Sequence, residues 1–301
     1  MARISVVIPT FRRPDGLRRA VESALAQEGA PDFEVIVVDN APEGGADRAL
    51  AGIKDARLTL IAEPNPGVAT ARNTGWAAAS APRIAFLDDD EEALPGWLGA
   101  LDTALTDLGA DIVFGPIDTV LPETAPAAHR DFLKGFFART GPAEDAVLDN
   151  YHGCGNSMIA REGLSLTASP FDAKADQLGG EDDLLFAMLK HKGARFGWAS
   201  RARVLEYVPE SRACLRYALA RGFAYGQGPS QSCAARTPPD APGVIGWMTV
   251  GAAQAVAYGA AAGLLWAIRS PRRAAMLDRS VQGLGKVFWG DRFAPRLYGG
   301  A

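Results

Sequence analysis

Two short hydrophobic runs near the start of the chain have the pattern of buried strands. Residues 4–9 (Ile-Ser-Val-Val-Ile-Pro) and 33–38 (Phe-Glu-Val-Ile-Val-Val) are rich in β-branched side chains, and each leads into polar residues. Strands buried on both faces of a parallel sheet have this composition. Between them, apolar residues recur at helical spacing over residues 14–25. The order strand, helix, strand predicts the crossover unit of a parallel sheet.

The same alternation continues further along the chain. Residues 57–61 predict a third strand, residues 68–79 an alanine-rich helix and residues 83–87 a fourth strand, which runs directly into the acids of residues 88–92. In an open α/β sheet, ligands bind beyond the carboxyl ends of the strands. We therefore expect an α/β protein whose functional side chains follow its strands.

Composition and charge narrow the class of protein. Of the 301 residues, 48% are hydrophobic and 22% charged, with a formal net charge of −4, which excludes intrinsic disorder and a wholly basic nucleic-acid footprint. Cys154, Cys214 and Cys233 have no C-x-x-C spacing, so we expect a reducing compartment, without a disulfide framework or a structural zinc site. The first apolar run is too short for a secretory signal peptide, and we expect none.

The acids after the fourth strand indicate a cation. Five contiguous like charges after a buried strand repel one another. In an extended chain, Asp88 and Asp90 point to one side and Asp89 to the other. Carboxylate oxygens suit Mg²⁺ or Mn²⁺, which also bind diphosphate oxygens. The alternative is a solvated acidic loop.

Two further polar positions have both a structural and a functional interpretation. Asp39 ends the second strand, where its carboxylate is able to accept a hydrogen bond from a base or a ribose, or simply to form a turn. Glu181, Asp182 and Asp183 begin a predicted helix. Acids there favour the helix dipole, although one of them is also a candidate general base. Spacing alone does not decide between these.

The first strand is followed by Pro-Thr-Phe-Arg-Arg-Pro, residues 9–14. This turn contains neither the G-x-G-x-x-G fingerprint of dinucleotide-binding proteins nor a P-loop. The absence disfavours a dehydrogenase and an NTPase. It also disfavours a nucleotidyltransferase that makes an activated sugar, one alternative function. A second alternative, a non-catalytic carbohydrate-binding protein of membrane assembly, is disfavoured by the retained acids.

Five motifs in order resemble family 2 inverting glycosyltransferases of the GT-A fold. They are Val6-Val7-Ile8-Pro9-Thr10-Phe11, Val37-Val38-Asp39-Asn40, Gly67-Val68-Ala69-Thr70-Ala71-Arg72-Asn73, Phe86-Leu87-Asp88-Asp89-Asp90 with Pro95, and Gly180-Glu181-Asp182-Asp183-Leu184. The resemblance implies a Rossmann-like nucleotide-binding half with a mostly parallel sheet. It also implies metal-assisted transfer of a sugar from a UDP-sugar.

The resemblance assigns roles residue by residue. It implies a nucleotide-sugar-binding set of Thr10, Phe11, Asp39, Arg72, Asp88 and Asp89. Within it Asp39 contacts the uracil, and Phe11 stacks where the family often has Tyr. It further implies Asp182 as the base, Asn156 and Glu181 at the acceptor or sugar site, and Asp90, Asp88 and Glu206 as ligands of Mg²⁺ or Mn²⁺. For Asn156 and Glu206, a turn residue and an exposed strand-end residue are the alternatives.

Later residues are similar to the bacterial exopolysaccharide branch of the family, typified by succinoglycan-type glucosyltransferases. The similarity lies in Trp198-Ala199, residues 204–212 and residues 221–223. It implies a polyprenyl-diphosphate-linked saccharide acceptor at the cytoplasmic face of the inner membrane. The divisions that follow are a nucleotide-sugar half over residues 1–112, an acceptor half over 113–212, and a helical, membrane-associating segment over 213–301.

The last segment has an unusual distribution of charge. Residues 241–268 contain no ionisable side chain, and residues 269–301 carry seven basic residues against two acids, a net of +5. The uncharged stretch is long enough to span a bilayer. A single span with a cytoplasmic basic tail would place residues 1–240 outside, away from nucleotide sugars. We therefore expect an interfacial or re-entrant helix on anionic lipid, with a buried helical hairpin as the alternative.

Overall fold

The computed structural model describes residues 2–177 and 180–295. The strands are β1 Ile4–Thr10, β2 Phe33–Asp39, β3 Leu58–Ala62, β4 Arg83–Phe86, β5 Glu91–Ala93, β6 Ile112–Phe114, β7 Ile117–Val120, β8 Ala146–Leu148, β9 Ser157–Ala160, β10 Phe196–Trp198 and β11 Val204–Tyr207. The helices are α1 Pro14–Leu25, α2 Ala46–Ala49, α3 Val68–Ala78, α4 Trp97–Asp107, α5 Arg130–Phe137, α6 Glu181–His191, α7 Leu215–Ala234, α8 Ala241–Ala267 and α9 Arg273–Val287. Short 3₁₀ helices cover Ala127–His129, Ala173–Gln177 and Asp291–Phe293.

The main sheet has eight strands in the order β3-β2-β1-β4-β9-β6-β10-β8. The first four are parallel, with Thr10 level with Asp39 and Val7 level with Phe86. These are the four strands that the hydrophobic pattern predicts. Because they run the same way, their carboxyl ends share one edge of the sheet.

Two hydrophobic clusters cover the two faces of this sheet. Along β1, Val6 and Ile8 pack into one cluster, to which α1 and α4 contribute, whereas Val7 packs into the other, to which α3 and α6 contribute. Side chains alternate between the faces of a strand, so a strand that is apolar on both faces requires helices on both sides. This explains the nearly unbroken hydrophobic run of residues 4–9.

The end of the acidic run forms a strand, whereas residues 88–90 form a turn after β4. The last two residues of the run, Glu91 and Glu92, lie in β5, which pairs antiparallel with β11 in a second sheet of order β5-β11-β7. Glu206 of β11 lies opposite Glu91. The pairing brings two acids together that are 115 positions apart in the chain, which no local pattern reveals.

The chain divides into two compact units, residues 1–119 with 138–207 and residues 120–137 with 208–301. The division that we predict, at residues 112 and 212, differs in two respects: the two predicted halves fall largely in one unit, and residues 120–137 associate with the C-terminal segment. The reason for the second is packing: Leu133 and Phe137 of α5 share a hydrophobic cluster with Val208, Ala213 and Ala218.

In the second unit, α7, α8 and α9 pack through glycines. A Cβ atom added to Gly251 of α8 would lie 2.6 Å from the carbonyl oxygen of Gly283 in α9, and one added to Gly285 would lie 2.2 Å from that of Phe223 in α7. Such contacts between small residues are typical of helices that pack in membranes. Helix α8 is long and apolar enough to cross a membrane, and only 11% of its most apolar 18-residue stretch is buried.

We predict that replacing Gly75 by Ala destabilises the first unit. An added Cβ would meet Val7 Cγ1 at 2.3 Å and Val38 Cγ2 at 3.3 Å, where α3 lies against β1 and β2. Overpacking of this kind costs about 1–3 kcal/mol. Gly99→Ala in α4 is the matched control, because no atom lies within 4 Å of its added Cβ, and its helix propensity should add about 0.5–1 kcal/mol. Urea unfolding measures both, and equal stabilisation of the two variants would contradict this packing of α3.

Candidate active site

The carboxyl ends of β1, β2 and β4 bring the predicted residues to one edge of the sheet. Thr10 and Asp39 end neighbouring strands, and the Leu87 amide, just past β4, donates to the Val7 carbonyl. The acids that follow Leu87 therefore lie beside the turn after β1. This confirms that the acidic run and the first turn meet in space.

Asp89 is the link between the acidic run and this first turn. Its buried carboxylate accepts from the Thr10 hydroxyl at 2.8 Å, from the Phe11 amide at 3.3 Å and from Arg13 at 2.8 Å. Burial raises the pKa of Asp89 to about 6, and Arg13 acts in the opposite direction. These contacts give Asp89 and Thr10 a structural function, since each fixes the other.

Asp90 contacts the same Arg13 nitrogen as Asp89, whereas Asp88 contacts Arg72. The expectation that Asp88 and Asp90 share one side of an extended chain is therefore wrong, because residues 88–90 form a turn after β4. Arg13 Nη1 lies 2.6 Å from Asp90 Oδ2, so one guanidinium neutralises two of the five acids.

Phe11 is 42% exposed, with the Arg12 guanidinium 4.8 Å from the centre of its ring. An exposed aromatic ring at the strand edge is available for stacking.

Asp39 and Asn40 organise the turn after β2. The Asp39 carboxylate accepts from the Ala41 amide at 3.2 Å and the Ala46 amide at 2.9 Å. The Asn40 side chain donates to the carbonyls of Glu63 and Asn65. Asp39 therefore forms the turn, as one of its two interpretations predicts. Its contact with the uracil of the donor stays a prediction.

Arg72 links three elements at the centre of the site. This buried residue of α3 donates to Glu181 at the start of α6 and, at 3.2 Å, to Asp88 after β4. Burial raises the pKa of Glu181, with Arg72 opposing the shift. The resemblance implies that Arg72 contacts the nucleotide, but both its terminal nitrogens bind carboxylates of the chain. The geometry gives Arg72 and Glu181 a positioning function.

The three acids at the start of α6 differ in their surroundings. Glu181 is buried, Asp182 is half-buried and Asp183 is exposed. Asp182 Oδ2 accepts from the Cys154 amide at 2.9 Å, and Oδ1 accepts from the Asp183 amide at 2.8 Å. Asp182 is therefore the acid that faces the loop of residues 153–156, which we call the glycine loop.

Asn156 ends the glycine loop in a left-handed conformation, with φ at 49°. It is fully buried; its Oδ1 accepts from Trp97 Nε1 at 2.8 Å, and its amide donates to the carbonyls of Pro116 and Ala202 at 2.8 and 2.9 Å. Both amide hydrogens are used inside the protein. These bonds support the turn interpretation over a contact with the sugar.

Arg139 belongs to the site and has no signal in the sequence. It donates to the carbonyls of Gly153, Gly155 and Asn156 at 3.0, 2.7 and 3.2 Å. Burial lowers its pKa, whereas the nearby carboxylates of Glu91, Asp88, Glu206 and Asp182 act in the opposite direction. Arg139 reaches the site through an isolated bridge to Ile117, a long-range pairing.

The predicted metal site of Asp88, Asp90 and Glu206 provides one or two carboxylates that a metal ion is able to reach. Among residues 2–177 and 180–295, no three His, Cys, Asp or Glu side chains form a group able to hold a metal ion. Asp88 is one-third exposed and Asp90 less so, and each carries an arginine on one oxygen. Mg²⁺ is typically held by one or two carboxylates together with substrate phosphates and water. Asp88 and Asp90 fit that mode, whereas a cage of Asp88, Asp90 and Glu206 does not form.

Comparison with known families decides the class of protein. The sequence model described as glycosyl transferase family 2 matches residues 5–164, more than half of the chain. This chain belongs to glycosyl transferase family 2. The match excludes the nucleotidyltransferase alternative and covers the first four motifs of the sequence analysis.

Curated relatives of this glycosyltransferase include proteins of polysaccharide synthesis. Succinoglycan biosynthesis protein ExoM of Rhizobium meliloti (strain 1021) is 31% identical over 232 residues, which are 74% of this chain and 73% of that protein. ExoW of the same organism is 39% identical over 124 residues, 39% of this chain and 38% of that protein. The similarity to the first extends well beyond the nucleotide-sugar half.

Two solved structures share the fold. A crystal structure of GalNAc-T7 with UDP, GalNAc and Mn²⁺ superposes with a TM-score of 0.54 at 16% identity, over 76% of this chain and 51% of that chain. Staphylococcus aureus TarS gives 0.52 at 16% identity, over 80% and 41%. The GT-A-like α/β fold implied by the resemblance is confirmed.

Sequence analysis missed the way in which α3 holds the segment before the predicted base. The Asn73 side chain donates to the Phe171 carbonyl at 2.8 Å and accepts from the Phe171 amide at 2.9 Å. Asp176 accepts from the Ala69 amide and the Thr70 hydroxyl, both at 2.7 Å. It thereby caps the N-terminus of α3 from a distant segment. Six positions later stands Asp182.

We predict that Asp176 positions the base of this glycosyltransferase. Asp176→Ala removes the cap and should lower kcat by about tenfold or more, since small displacements of a catalytic group are costly. The KM for the donor should stay within about twofold. Asp176→Asn keeps an oxygen that accepts from the Ala69 and Thr70 amides, and its NH₂ group is able to donate to the Thr70 hydroxyl. This variant should therefore restore most of kcat.

The matched control is Asp172→Ala. Asp172 lies in the same segment, but its carboxylate accepts from the Lys174 amide, two residues along the chain, at 3.0 Å. If Asp172→Ala loses as much kcat as Asp176→Ala, or if Asp176→Asn is no better than Ala, the contact with α3 does not position the base.

Proposed function

We propose that this protein moves a sugar from a UDP-sugar to a hydroxyl of a lipid-linked saccharide during bacterial polysaccharide synthesis, with inversion at the anomeric carbon. The observation that carries the proposal is the environment of Asp182. Among the three acids that begin α6, Asp182 is the partly exposed one whose carboxylate is bonded to the glycine loop, at 2.9 Å from the Cys154 amide. A general base needs both access and orientation.

The donor half of the site is proposed at the strand edge. Phe11 is exposed and suited to stack on the base, and Asp39 is proposed to accept from the uracil imide. Uracil N3 carries a proton, whereas cytosine N3 does not, so a carboxylate there favours uridine. Because both Asp39 oxygens also hold the turn after β2, Asp39→Asn keeps one acceptor for that turn. It should weaken UDP binding measured by calorimetry, and unchanged UDP binding would leave Asp39 as a turn residue alone.

A divalent ion, Mg²⁺ or Mn²⁺, is proposed to be held by Asp88 and Asp90 together with the donor diphosphate. Each carboxylate lies beside a positively charged arginine, which orients it. When bound, such an ion neutralises the charge that develops on the diphosphate leaving group. GalNAc-T7, which shares the fold, crystallised with UDP and Mn²⁺, and this supports the same chemistry here.

The proposed transfer is a single displacement. Asp182 accepts the proton of the acceptor hydroxyl while the oxygen of that hydroxyl bonds to the anomeric carbon. The bond from the anomeric carbon to the diphosphate oxygen breaks on the opposite face, and UDP carries the electron pair away. An α-linked donor therefore gives a β-linked product. Arg72 holds Asp88 and the start of α6 in register during this step.

The proposed acceptor is linked to a polyprenyl diphosphate in the cytoplasmic leaflet of the inner membrane. The names of ExoM and ExoW attach those relatives to the biosynthesis of succinoglycan. In this chain, the exposed side of α8 carries uncharged residues over about 40 Å of helix. That length exceeds the hydrocarbon core of about 30 Å and suits a tilted span equally well. The interfacial placement rests instead on the basic residues after the helix, which would hold that end in the cytoplasm and put a spanning protein's donor site outside.

Testing the function requires purified full-length protein and a screen of nucleotide sugars with Mg²⁺ or Mn²⁺, in which released nucleotide is measured. We expect release from a UDP-sugar and loss of release in EDTA. Asp182→Asn should lower turnover by about 10²–10⁴-fold, the usual effect of removing a general base, with UDP binding retained. Asp183→Asn is the matched control and should stay near wild type. If Asp183→Asn loses more turnover than Asp182→Asn, the general base is Asp183 and not Asp182.

Membrane attachment is tested with Val256→Asp. Val256 is 74% exposed on α8, and a carboxylate on the apolar face of an interfacial helix must be desolvated while apolar burial is lost. We expect sedimentation with anionic vesicles to weaken by at least about tenfold. Val147→Asp, at a 55% exposed position of β8, is the matched control. Equal sedimentation of Val256→Asp and wild type would exclude this face of α8 as the membrane contact.

A further inference from the structure

A basic cavity lies in the second unit at the turn between α8 and α9. Its volume is about 200 Å³. On one side it is bounded by the segment around the 3₁₀ helix before α5, and on the other by the turn itself. The lining residues are Ala127, Ala128, His129, Asp131, Phe132, Arg269, Pro271 and Arg273.

Two polar atoms at this cavity are buried without a hydrogen-bond partner. They are Nε of Arg273 and Nδ1 of His129. An unpaired buried polar group is unfavourable, and two of them on residues that line one cavity indicate that something outside the chain completes them. The second terminal nitrogen of Arg273, Nη2, already makes a long contact of 3.5 Å with the Ala128 carbonyl.

The charge at the cavity favours an anion. The lining residues include two arginines, Arg269 and Arg273, and one acid, Asp131, so the cavity lining carries a net positive charge. Burial, and secondarily Arg273, lowers the pKa of His129, whereas a bond with the Ala128 backbone raises it. The positive charge at the cavity therefore comes from the two arginines.

Arg273 is also the first residue of α9, a helix of 15 residues whose N-cap residue, Arg272, makes no capping bond through its own side chain; the Arg272 and Arg273 amides make long bonds of 3.3 Å to Ser270. The unpaired amides at a helix N-terminus attract negative charge.

Trp266 places the cavity at the end of the apolar face of α8. Its ring is 43% exposed; the Arg273 guanidinium lies 5.3 Å from the ring centre and the His129 ring 5.8 Å away. Tryptophan is enriched at the level of lipid headgroups, where one side of its ring is apolar and the other wet. A cavity beside it is at headgroup level when α8 lies against a membrane.

We propose that the cavity formed by His129, Arg269 and Arg273 binds the phosphate of an anionic lipid headgroup. The inference rests on the membrane attachment proposed above and adds to it a specific site. Guanidinium groups match the geometry of phosphate oxygens. The bound phosphate would satisfy Arg273 Nε and His129 Nδ1 together, and it would fix the depth and rotation of α8 at the membrane surface.

The test compares Arg273→Gln with Arg279→Gln in the full-length protein. Arg279 is two turns further along α9, and its guanidinium also lies on an aromatic ring of α8, 5.4 Å from the centre of Tyr258. Each variant removes one positive charge, so general attraction to an anionic surface falls equally. The probes are phosphatidylcholine vesicles with and without phosphatidylglycerol, and inorganic phosphate followed by Trp266 fluorescence.

We expect Arg273→Gln to bind phosphatidylglycerol vesicles at least about tenfold more weakly than wild type, and clearly more weakly than Arg279→Gln. His129→Phe, which keeps the ring against Trp266 but removes Nδ1, should show a smaller loss in the same direction. Circular dichroism checks that each variant is folded.

Three results would overturn the proposal of a lipid phosphate in this cavity. Equal losses in the two arginine variants mean a diffuse basic surface without a site. Tight binding of inorganic phosphate, with no preference for phosphatidylglycerol vesicles, assigns the cavity to a soluble phosphate instead. If wild-type protein binds no vesicle, the membrane attachment itself fails, and the phosphate titration shows separately whether the cavity binds an anion.

Discussion

Carboxylates that converge must be neutralised, and three arginines do this in the first unit. Arg13 pairs with Asp89 and Asp90, Arg72 pairs with Asp88 and Glu181, and Arg139 lies among Glu91, Asp88, Glu206 and Asp182. Removing one partner of a buried ion pair costs about 3–5 kcal/mol, because a charge is left without compensation. The acids are thus tied to three separate elements of the fold, and their geometry depends on all three arginines.

Close backbone approach is the second requirement of the site. A Cβ atom added to Gly155 would lie 2.5 Å from Asp88 Oδ2 and 3.1 Å from Glu91 Oε1, and one added to Gly153 would lie 3.2 Å from Asp182 Oδ2. Only glycine lets the loop pass between these carboxylates. Arg139 then binds the carbonyls of the loop while its charge faces the acids. Positioning of the proposed base and neutralisation of the acid cluster therefore depend on the same side chain.

The second unit follows a different physical rule. Its helices meet through glycines, and α8 carries no charged residue. The first unit buries its apolar surface in its own core, whereas α8 leaves most of its apolar surface uncovered. This contrast accounts for the uncharged stretch of 28 residues in an otherwise ordinary sequence.

Local patterns determined the parallel half of the sheet, because β1 to β4 are largely apolar and alternate with helices. They also determined the family, since the motifs lie at strand ends and helix starts. Tertiary structure decided which polar residues are free to act. Asn156, Asp89 and Arg72 match family motifs as well as Asp182 does, yet all three are buried, whereas Asp182 is partly exposed. Arg139, Asn73 and Asp176 contribute through contacts with residues distant in the chain. A sequence states which side chains exist at a strand end, but burial and long-range hydrogen bonds set which of them a substrate is able to reach.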